Sequence, residues 1–299
     1  LWLCRIGAET GIQLRLKYLS GTSVLFRNAE MKAIINHQPV SYQIEGESSP
    51  PDNRVLLASS LDLTAGTSWA SAGYTVADFL PAPVQQQLVD GLAELVREAL
   101  RETGLPVATD FPVSEYHKVI GDDTNRHLAV INITKQYTQD RLPVLAALLE
   151  ARVSELCSRP VQSLNPYDSA RVFHLRIVRP GSSDNNPLHR DVWLPNYDNC
   201  LNIYVPVAGS TPNSSLTLIP GSHWWPESQT ERTLRGALYN GASYNVPGVK
   251  GTAEVLELIR PNPNASEVLL FSPYLLHGGA VNLNEDATRI SLEMRFWQA

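Results

Sequence analysis

Four side chains in the second half of the chain have types and spacings suited to oxidative metal chemistry. His189 and Asp191 are separated by one residue. On an extended segment residues i and i+2 point the same way, about 6.5–7 Å apart, so a neutral imidazole and a carboxylate there can share one metal. H-x-D by itself describes a surface histidine beside a surface aspartate equally well. The rest of the chain separates the two readings. His277 lies 88 residues on, in Leu275-Leu276-His277-Gly278-Gly279, directly after the apolar run 268–271. Two histidines and one carboxylate form the facial set that holds non-haem Fe(II) and leaves positions open for a co-substrate and O2.

Arg289 follows His277 by twelve residues, at the head of a strictly alternating stretch. Arg289 and Ser291 share one face of that strand; Ile290, Leu292, Met294 and Phe296 share the other. An arginine facing inward needs an anion, because a buried unpaired guanidinium is costly. One reading pairs it with an ordinary Asp or Glu on the sheet. The other gives it the distal carboxylate of 2-oxoglutarate, its bidentate partner, with Ser291 adding a hydrogen bond. The triad upstream favours the second.

The elements that must position these groups can be read from periodicity. Val84, Leu88, Leu92, Leu95, Val96 and Leu100 recur at three- and four-residue steps, which predicts a helix over 84–100. Pro81 and Pro83 suit its first turn and Gly104 its C-terminal cap. A second helix is expected over 142–157, with Leu145, Leu148, Leu149, Val153 and Leu156 on its buried face and Pro160 ending it. Beyond Pro160 the period changes to that of strands, expected at 171–178, 200–207, 215–219, 267–271 and 289–297. A further strand is expected at 40–44. Helices followed by many short strands argue an α+β fold, mainly β, with a sandwich or jelly-roll core. Residues 221–255 show no clear strand, and a loop of that length in a compact domain is usually functional.

Composition narrows the function. The 299 residues carry 24 Lys+Arg against 30 Asp+Glu, a net charge of −6 without a basic run, so no nucleic-acid partner is expected. No apolar stretch reaches the roughly 18–20 residues that cross a bilayer, and no membrane partner is expected. The charge-interrupted start does not read as a signal peptide. Cys4, Cys157 and Cys200 form neither a zinc pattern nor a disulfide framework, which fits a reducing, cytoplasmic setting. The N-x-S/T triplets at Asn132, Asn213 and Asn264 are read as chance. His37, His117 and His127 read as surface or core histidines, and His223, after Pro220-Gly221-Ser222, as a turn anchor. No Gly-x-Ser-x-Gly elbow supports a serine hydrolase.

Taken together, the segments Leu188-His189-Arg190-Asp191, Leu216-Thr217-Leu218-Ile219-Pro220-Gly221-Ser222-His223, the 268–277 stretch, Arg289 and the opening Gly73-Tyr74-Thr75-Val76-Ala77-Asp78-Phe79-Leu80 resemble the phytanoyl-CoA dioxygenase-like family. The resemblance covers residues 73–299. It implies Fe(II)/2-oxoglutarate oxygenases on a double-stranded β-helix, a cupin-like jelly roll with flanking helices. It divides the chain into an N-terminal extension, 1–73, and an oxygenase domain, 74–299. By position it makes His189, Asp191 and His277 the metal ligands and Arg289 the 2-oxoglutarate arginine. It places Tyr204 beside the co-substrate, with Asn202 on the same face toward the 1-carboxylate end. His174 and Arg176 fall on a strand whose polar residues face the site. The loop before the family's fourth strand, usually acidic, is here the neutral Gly209-Ser210-Thr211-Pro212-Asn213.

The activity so implied is oxidation of 2-oxoglutarate to succinate and CO2 by O2, coupled to hydroxylation of a C–H bond; desaturation, epimerisation and ring formation stay open. Asp191 argues against a halogenase, which needs a small residue there. The alternatives are a jelly-roll metal-binding protein without catalysis, or a cupin-type metalloenzyme that does not use 2-oxoglutarate. Absence of a basic cluster near the site disfavours an acyl-CoA and points to a small polar metabolite or natural-product intermediate. Oligomeric state is not readable. Residues 224–250 hold Trp224, Trp225, Tyr239 and Tyr244 among glycines, and are expected to form a lid at the iron end of the barrel.

Overall fold

The structure, a computed structural model, describes residues 31–182, 184, 186–239 and 241–299. The first 30 residues of the expected extension 1–73, Cys4 included, lie outside the described residues.

In chain order the strands are β1 (Met31–Ile35), β2 (Gln38–Tyr42), β3 (Tyr74–Asp78), β4 (Val161–Gln162), β5 (His174–Val178), β6 (Cys200–Ala208), β7 (Thr230–Arg232), β8 (Ala237–Tyr239), β9 (Ala242–Tyr244), β10 (Val249–Thr252), β11 (Leu256–Leu258), β12 (Glu267–Phe271) and β13 (Arg289–Gln298). The helices are α1 (Ala82–Glu102), α2 (Tyr116–Ile120), α3 (Thr124–Thr134) and α4 (Ala146–Cys157). The result is a mixed α/β architecture with several sheets. The largest has the order β3-β12-β6-β13-β4, and β5 also pairs with β13. A second sheet has the order β11-β1-β2, and β10-β7 and β8-β9 form two-stranded pieces. Among the described residues no helix is long and apolar enough to cross a membrane.

The main sheet turns an apolar face to the helices, and the alternation of β13 puts its polar residues on the other face. Ile290, Leu292, Met294 and Phe296 join Leu201, Ile203 and Val205 of β6 and Leu88, Leu92 and Val96 of α1 in the main core. α1 forms as its period predicts, with Pro83 in its first turn. Cross-strand register then decides the opposite face. Glu293 lies opposite both His174 and Tyr204; Arg295 lies opposite Asn202, and Asn202 opposite Phe271. Opposed residues of paired strands share a face. Arg289, Ser291, Glu293, Arg295, Asn202, Tyr204, His174 and Arg176 therefore all project away from the helices.

Several expectations need correction. α4 begins at Ala146 and buries Leu149, Val153 and Cys157, a four-residue spacing along one stripe. Leu145 and Leu148, expected inside, are 74% and 45% exposed, because the helix starts only after Leu145, which caps it in an extended conformation. The expected strand at 215–219 forms no ladder. Leu218 instead makes single bridges to Ile259 and His277. Residues 221–255, expected to lack strands, contain β7 to β10. Their Ala237, Tyr239 and Val249 pack with Met31, Ala33 and Tyr42 of β1 and β2 and with Leu188 and Leu276. The pieces are three or four residues long and pair with one another, β7 with β10 and β8 with β9, and runs that short carry no readable period. The stretch 224–250 is thus a packed element rather than an open glycine-hinged loop. It lies beside the metal-ligand segment: Val249 N donates to Leu188 O at 2.8 Å.

Candidate metal centre

His189 and His277 face each other across two short chain segments joined by reciprocal backbone hydrogen bonds, His189 N to His277 O at 3.0 Å and His277 N to His189 O at 2.9 Å. The close approach depends on the glycines after His277. Gly279 has a φ of +80°, and a Cβ there would sit 2.8 Å from Leu188 N. Only glycine combines that dihedral with that contact. Arg190 is extended (φ −113°, ψ 138°), so its neighbours His189 and Asp191 project together into the cleft. Their carboxylate and imidazole atoms converge: Asp191 Oδ1 is 3.5 Å from His189 Nε2, and Asp191 Oδ2 is 3.8 Å from His277 Nε2. The three donor atoms all lie within 4.8 Å of one another, and all three residues are buried.

The donor chemistry fits a divalent transition metal. Each histidine's Nδ1 points at a backbone carbonyl, His189 at Pro187 O (2.7 Å) and His277 at Leu275 O (2.9 Å). A carbonyl can only accept, so each Nδ1 carries the proton and each Nε2 keeps a lone pair for the centre. Burial, with His189 alongside, lowers the His277 imidazole to about 4, keeping it neutral. Burial pushes the Asp191 carboxyl up, but the Arg295 guanidinium beside it outweighs that and holds it well below the usual carboxylate range.

The carboxylate is itself oriented. Asn202 Nδ2 donates to Asp191 Oδ2 at 2.8 Å, and Arg295 Nη2 donates to Asp191 Oδ1 at 3.2 Å. Arg295 also stacks on Tyr197, its guanidinium carbon 4.4 Å from the ring centroid. Asn202, expected toward the co-substrate's 1-carboxylate, lines the cleft and bonds Asp191 through its amide. The alternation that marked Arg289 and Ser291 also runs through Glu293 and Arg295. Both were legible there as residues of the same face. Arg190 carried no sequence signal. Fully buried, it donates through Nη2 to Ser222 O at 2.9 Å and Trp225 O at 3.2 Å, and its Nη1 lies 3.4 Å from Glu227 Oε1. It ties the ligand turn to the segment that follows Pro220.

Arg289 fits a carboxylate ligand. It is 2% exposed, its Nη1 donates to Ser291 Oγ at 3.0 Å, and its guanidinium lies 5.6 Å from the Tyr204 ring. Among the described residues no carboxylate lies within salt-bridge distance of it, and its Nε has no partner. The Tyr204 hydroxyl bonds Ser210 Oγ at 2.7 Å. His174 and Arg176 sit on the same face, Arg176 paired with Glu293. A cleft of about 580 Å3, open mouth included, is lined by His189, Asp191, His277, Arg289, Glu293 and Arg176 among others. Tyr204, Ser291 and His174 stand behind its lining. His223 is buried against Gly73 and donates to Ala70 O at 2.9 Å. His117 bonds Thr288 and Asp286, and His127 bonds Tyr116.

A family model described as phytanoyl-CoA dioxygenase (PhyH) matches residues 71–291. The chain is also similar to solved structures. The apo form of the non-heme monooxygenase ThoJ has a TM-score of 0.45 at 15% identity, with 79% of this chain and 77% of that chain covered. AviO1 from Streptomyces viridochromogenes Tue57 has a TM-score of 0.42 at 18% identity, covering 81% and 97% respectively. EctD from S. alaskensis in its apoform has a TM-score of 0.42 at 14% identity, covering 86% and 83%. No curated protein matches the chain.

Proposed function

The chain belongs to the phytanoyl-CoA dioxygenase family, and on that premise we propose that its cleft is the active site of a non-haem Fe(II)/2-oxoglutarate-dependent dioxygenase that hydroxylates a small polar metabolite or natural-product intermediate. One observation carries the reading: a triad of two Nε2 lone pairs and one carboxylate shares a cleft with a buried arginine that has no carboxylate partner among the described residues. Bound Fe(II) and 2-oxoglutarate would supply the oxidising chemistry with O2, releasing succinate and CO2.

The residues of the chain do the rest. His189, Asp191 and His277 hold the metal. Pro187 O and Leu275 O keep both imidazoles in the tautomer that presents Nε2. Asn202 and Arg295 hold the Asp191 carboxylate and keep it ionised. Arg289, steadied by Ser291 and backed by the Tyr204 ring, receives the distal carboxylate of the co-substrate.

The two-layer arrangement supports a jelly roll. The main sheet faces the single bridges His189–His277, Leu218–His277 and Leu218–Ile259 across the cleft. We assign residues 74–299 to the oxygenase domain and residues 1–73 to an extension that completes it, a division supported by the start of the family match at residue 71. Tyr42 of that extension accepts a hydrogen bond from Leu188 N at 3.2 Å, one residue from His189. A cytoplasmic setting is supported by the free, buried thiols of Cys157 and Cys200. The test is anaerobic titration of the protein with Fe(II) and 2-oxoglutarate, followed by admission of O2. Fe(II)-dependent succinate release is expected. Metal binding without any effect of 2-oxoglutarate would favour the cupin-type alternative.

A further inference from the structure

Two charged side chains in the cleft are used by neither the metal ligands nor the co-substrate arginine. Arg176 of β5 and Glu293 of β13 both line it, with side chains 30% and 20% exposed. Their pairing is lopsided. Arg176 Nε (3.3 Å) and Nη2 (3.2 Å) both reach the same oxygen, Oε2 of Glu293. A fork-to-fork pair would engage both carboxylate oxygens. No hydrogen bond joins Arg176 Nη1 or Glu293 Oε1 to another described residue, so the pair keeps the N–H donors of Nη1 and the acceptor Oε1 for a ligand.

The surroundings keep both charges in place. Burial pushes the Glu293 carboxyl up, but Arg176, Arg289 and Arg295 together hold it below the usual range, so it is a carboxylate at neutral pH. His174, opposite Glu293 on β5, is lowered to about 4 by burial and the nearby arginines, and is neutral. The remaining charges are committed: Arg295 balances Asp191, and Arg289 awaits the co-substrate. What is left is a site of zero net charge with separated poles. A ligand with a single charge would engage one pole and desolvate the other without compensation. A ligand with adjacent positive and negative groups satisfies both.

We propose that the Arg176–Glu293 pair docks the head group of the primary substrate, and that this substrate is a free α-amino acid or a small metabolite with an unsubstituted α-ammonium–carboxylate pair. Its carboxylate bonds Arg176 Nη1 and its ammonium donates to Glu293 Oε1. Glu293 is two residues from Arg295, whose Nη2 touches Asp191, so the head group is anchored beside the triad. This inference rests on the oxygenase reading above.

The test uses the whole chain loaded anaerobically with Mn(II) and 2-oxoglutarate. The probes are the twenty standard α-amino acids, each with its α-hydroxy and N-acetyl counterpart, followed by calorimetry. Succinate release is measured in parallel with Fe(II) and O2. At least one amino acid is expected to bind and to stimulate succinate release. Its α-hydroxy and N-acetyl counterparts should bind at least tenfold more weakly. E293Q and R176Q should each weaken that amino acid tenfold or more. Affinities for Mn(II) and 2-oxoglutarate are read on the same variants, and a parallel loss of both would mark a merely structural pair and overturn the proposal. If no amino acid binds while Fe(II)-dependent succinate release persists, the substrate class is wrong and the oxygenase reading stands. Absence of any 2-oxoglutarate turnover removes the oxygenase reading, and the inference with it.

Discussion

Replacing Arg289 by methionine separates a ligand-binding arginine from a structural one, because the two roles predict opposite effects on the unliganded protein. The guanidinium is 2% exposed and has no carboxylate partner among the described residues. Its one side-chain bond, to Ser291 Oγ, is to a neutral acceptor. Replacing a buried guanidinium that no carboxylate contacts by an apolar chain of similar volume is neutral or stabilising, so the melting temperature of the unliganded variant should be unchanged or higher. Binding should suffer. Deleting one partner of a buried charge-assisted pair costs about 2–5 kcal/mol. At about 1.4 kcal/mol per tenfold that is a loss of roughly 30-fold to several-thousand-fold in 2-oxoglutarate affinity. Burial leaves little solvent to screen the contact, which places the loss well inside that range rather than near zero. Anaerobic calorimetry with Mn(II) measures it, and a thermal melt of the metal-free protein supplies the second readout. Metal affinity should hardly move, since Arg289 touches none of the three ligands. A variant that melts lower yet binds 2-oxoglutarate within threefold of the parent would refute the reasoning.

Alanine at His189 or His277 should abolish metal binding while leaving a folded chain; wild-type metal affinity in both variants, read by Co(II) titration, would sink the ligand assignment. N202A removes the amide that orients Asp191 and should weaken metal binding about 10–100-fold, again by titration. G279A forces a Cβ into Leu188 at a left-handed φ and should cost about 1–3 kcal/mol, seen as a lower denaturant midpoint. L149A in the core should cost about 2–5 kcal/mol, whereas L145A, at an exposed position, should leave the midpoint nearly unchanged. Burial depresses His127 from 6.5 to about 4. The unfolded chain therefore takes up a proton at that site below about pH 6.5 that the folded protein refuses until about pH 4, and stability falls across that window as pH falls. H127Q should flatten the slope of stability against pH there, with His174 and His277 retaining their share.

Alternation in 289–297 and the three- and four-residue steps of 84–100 were strong enough to determine β13 and α1, because each pattern runs over many residues and each residue adds to it. The same alternation fixed which face Arg289 and Ser291 share, and it extended to Glu293 and Arg295. The spacing of His189 and Asp191, with His277 far along the chain, was enough to name the triad's chemistry. Tertiary structure alone decided how these pieces meet. The His189–His277 bridge joins segments 88 residues apart, and the hydrogen bond of Asn202 to Asp191 depends on β6 and the ligand turn arriving at one place. Arg190 reads as any arginine until its burial against Ser222 and Trp225 is seen. The pieces of 224–250 are too short to carry a period; they become strands by pairing with one another, β7 with β10 and β8 with β9, and their apolar side chains pack against β1 and β2. α4 shows the same limit from the other side. Several apolar residues competed for its buried stripe, and the neighbours it packs against, rather than its own sequence, selected Leu149, Val153 and Cys157. Local patterns report the backbone's own preferences, whereas a site is made where separate segments converge, and that convergence is set by the packing of the whole chain.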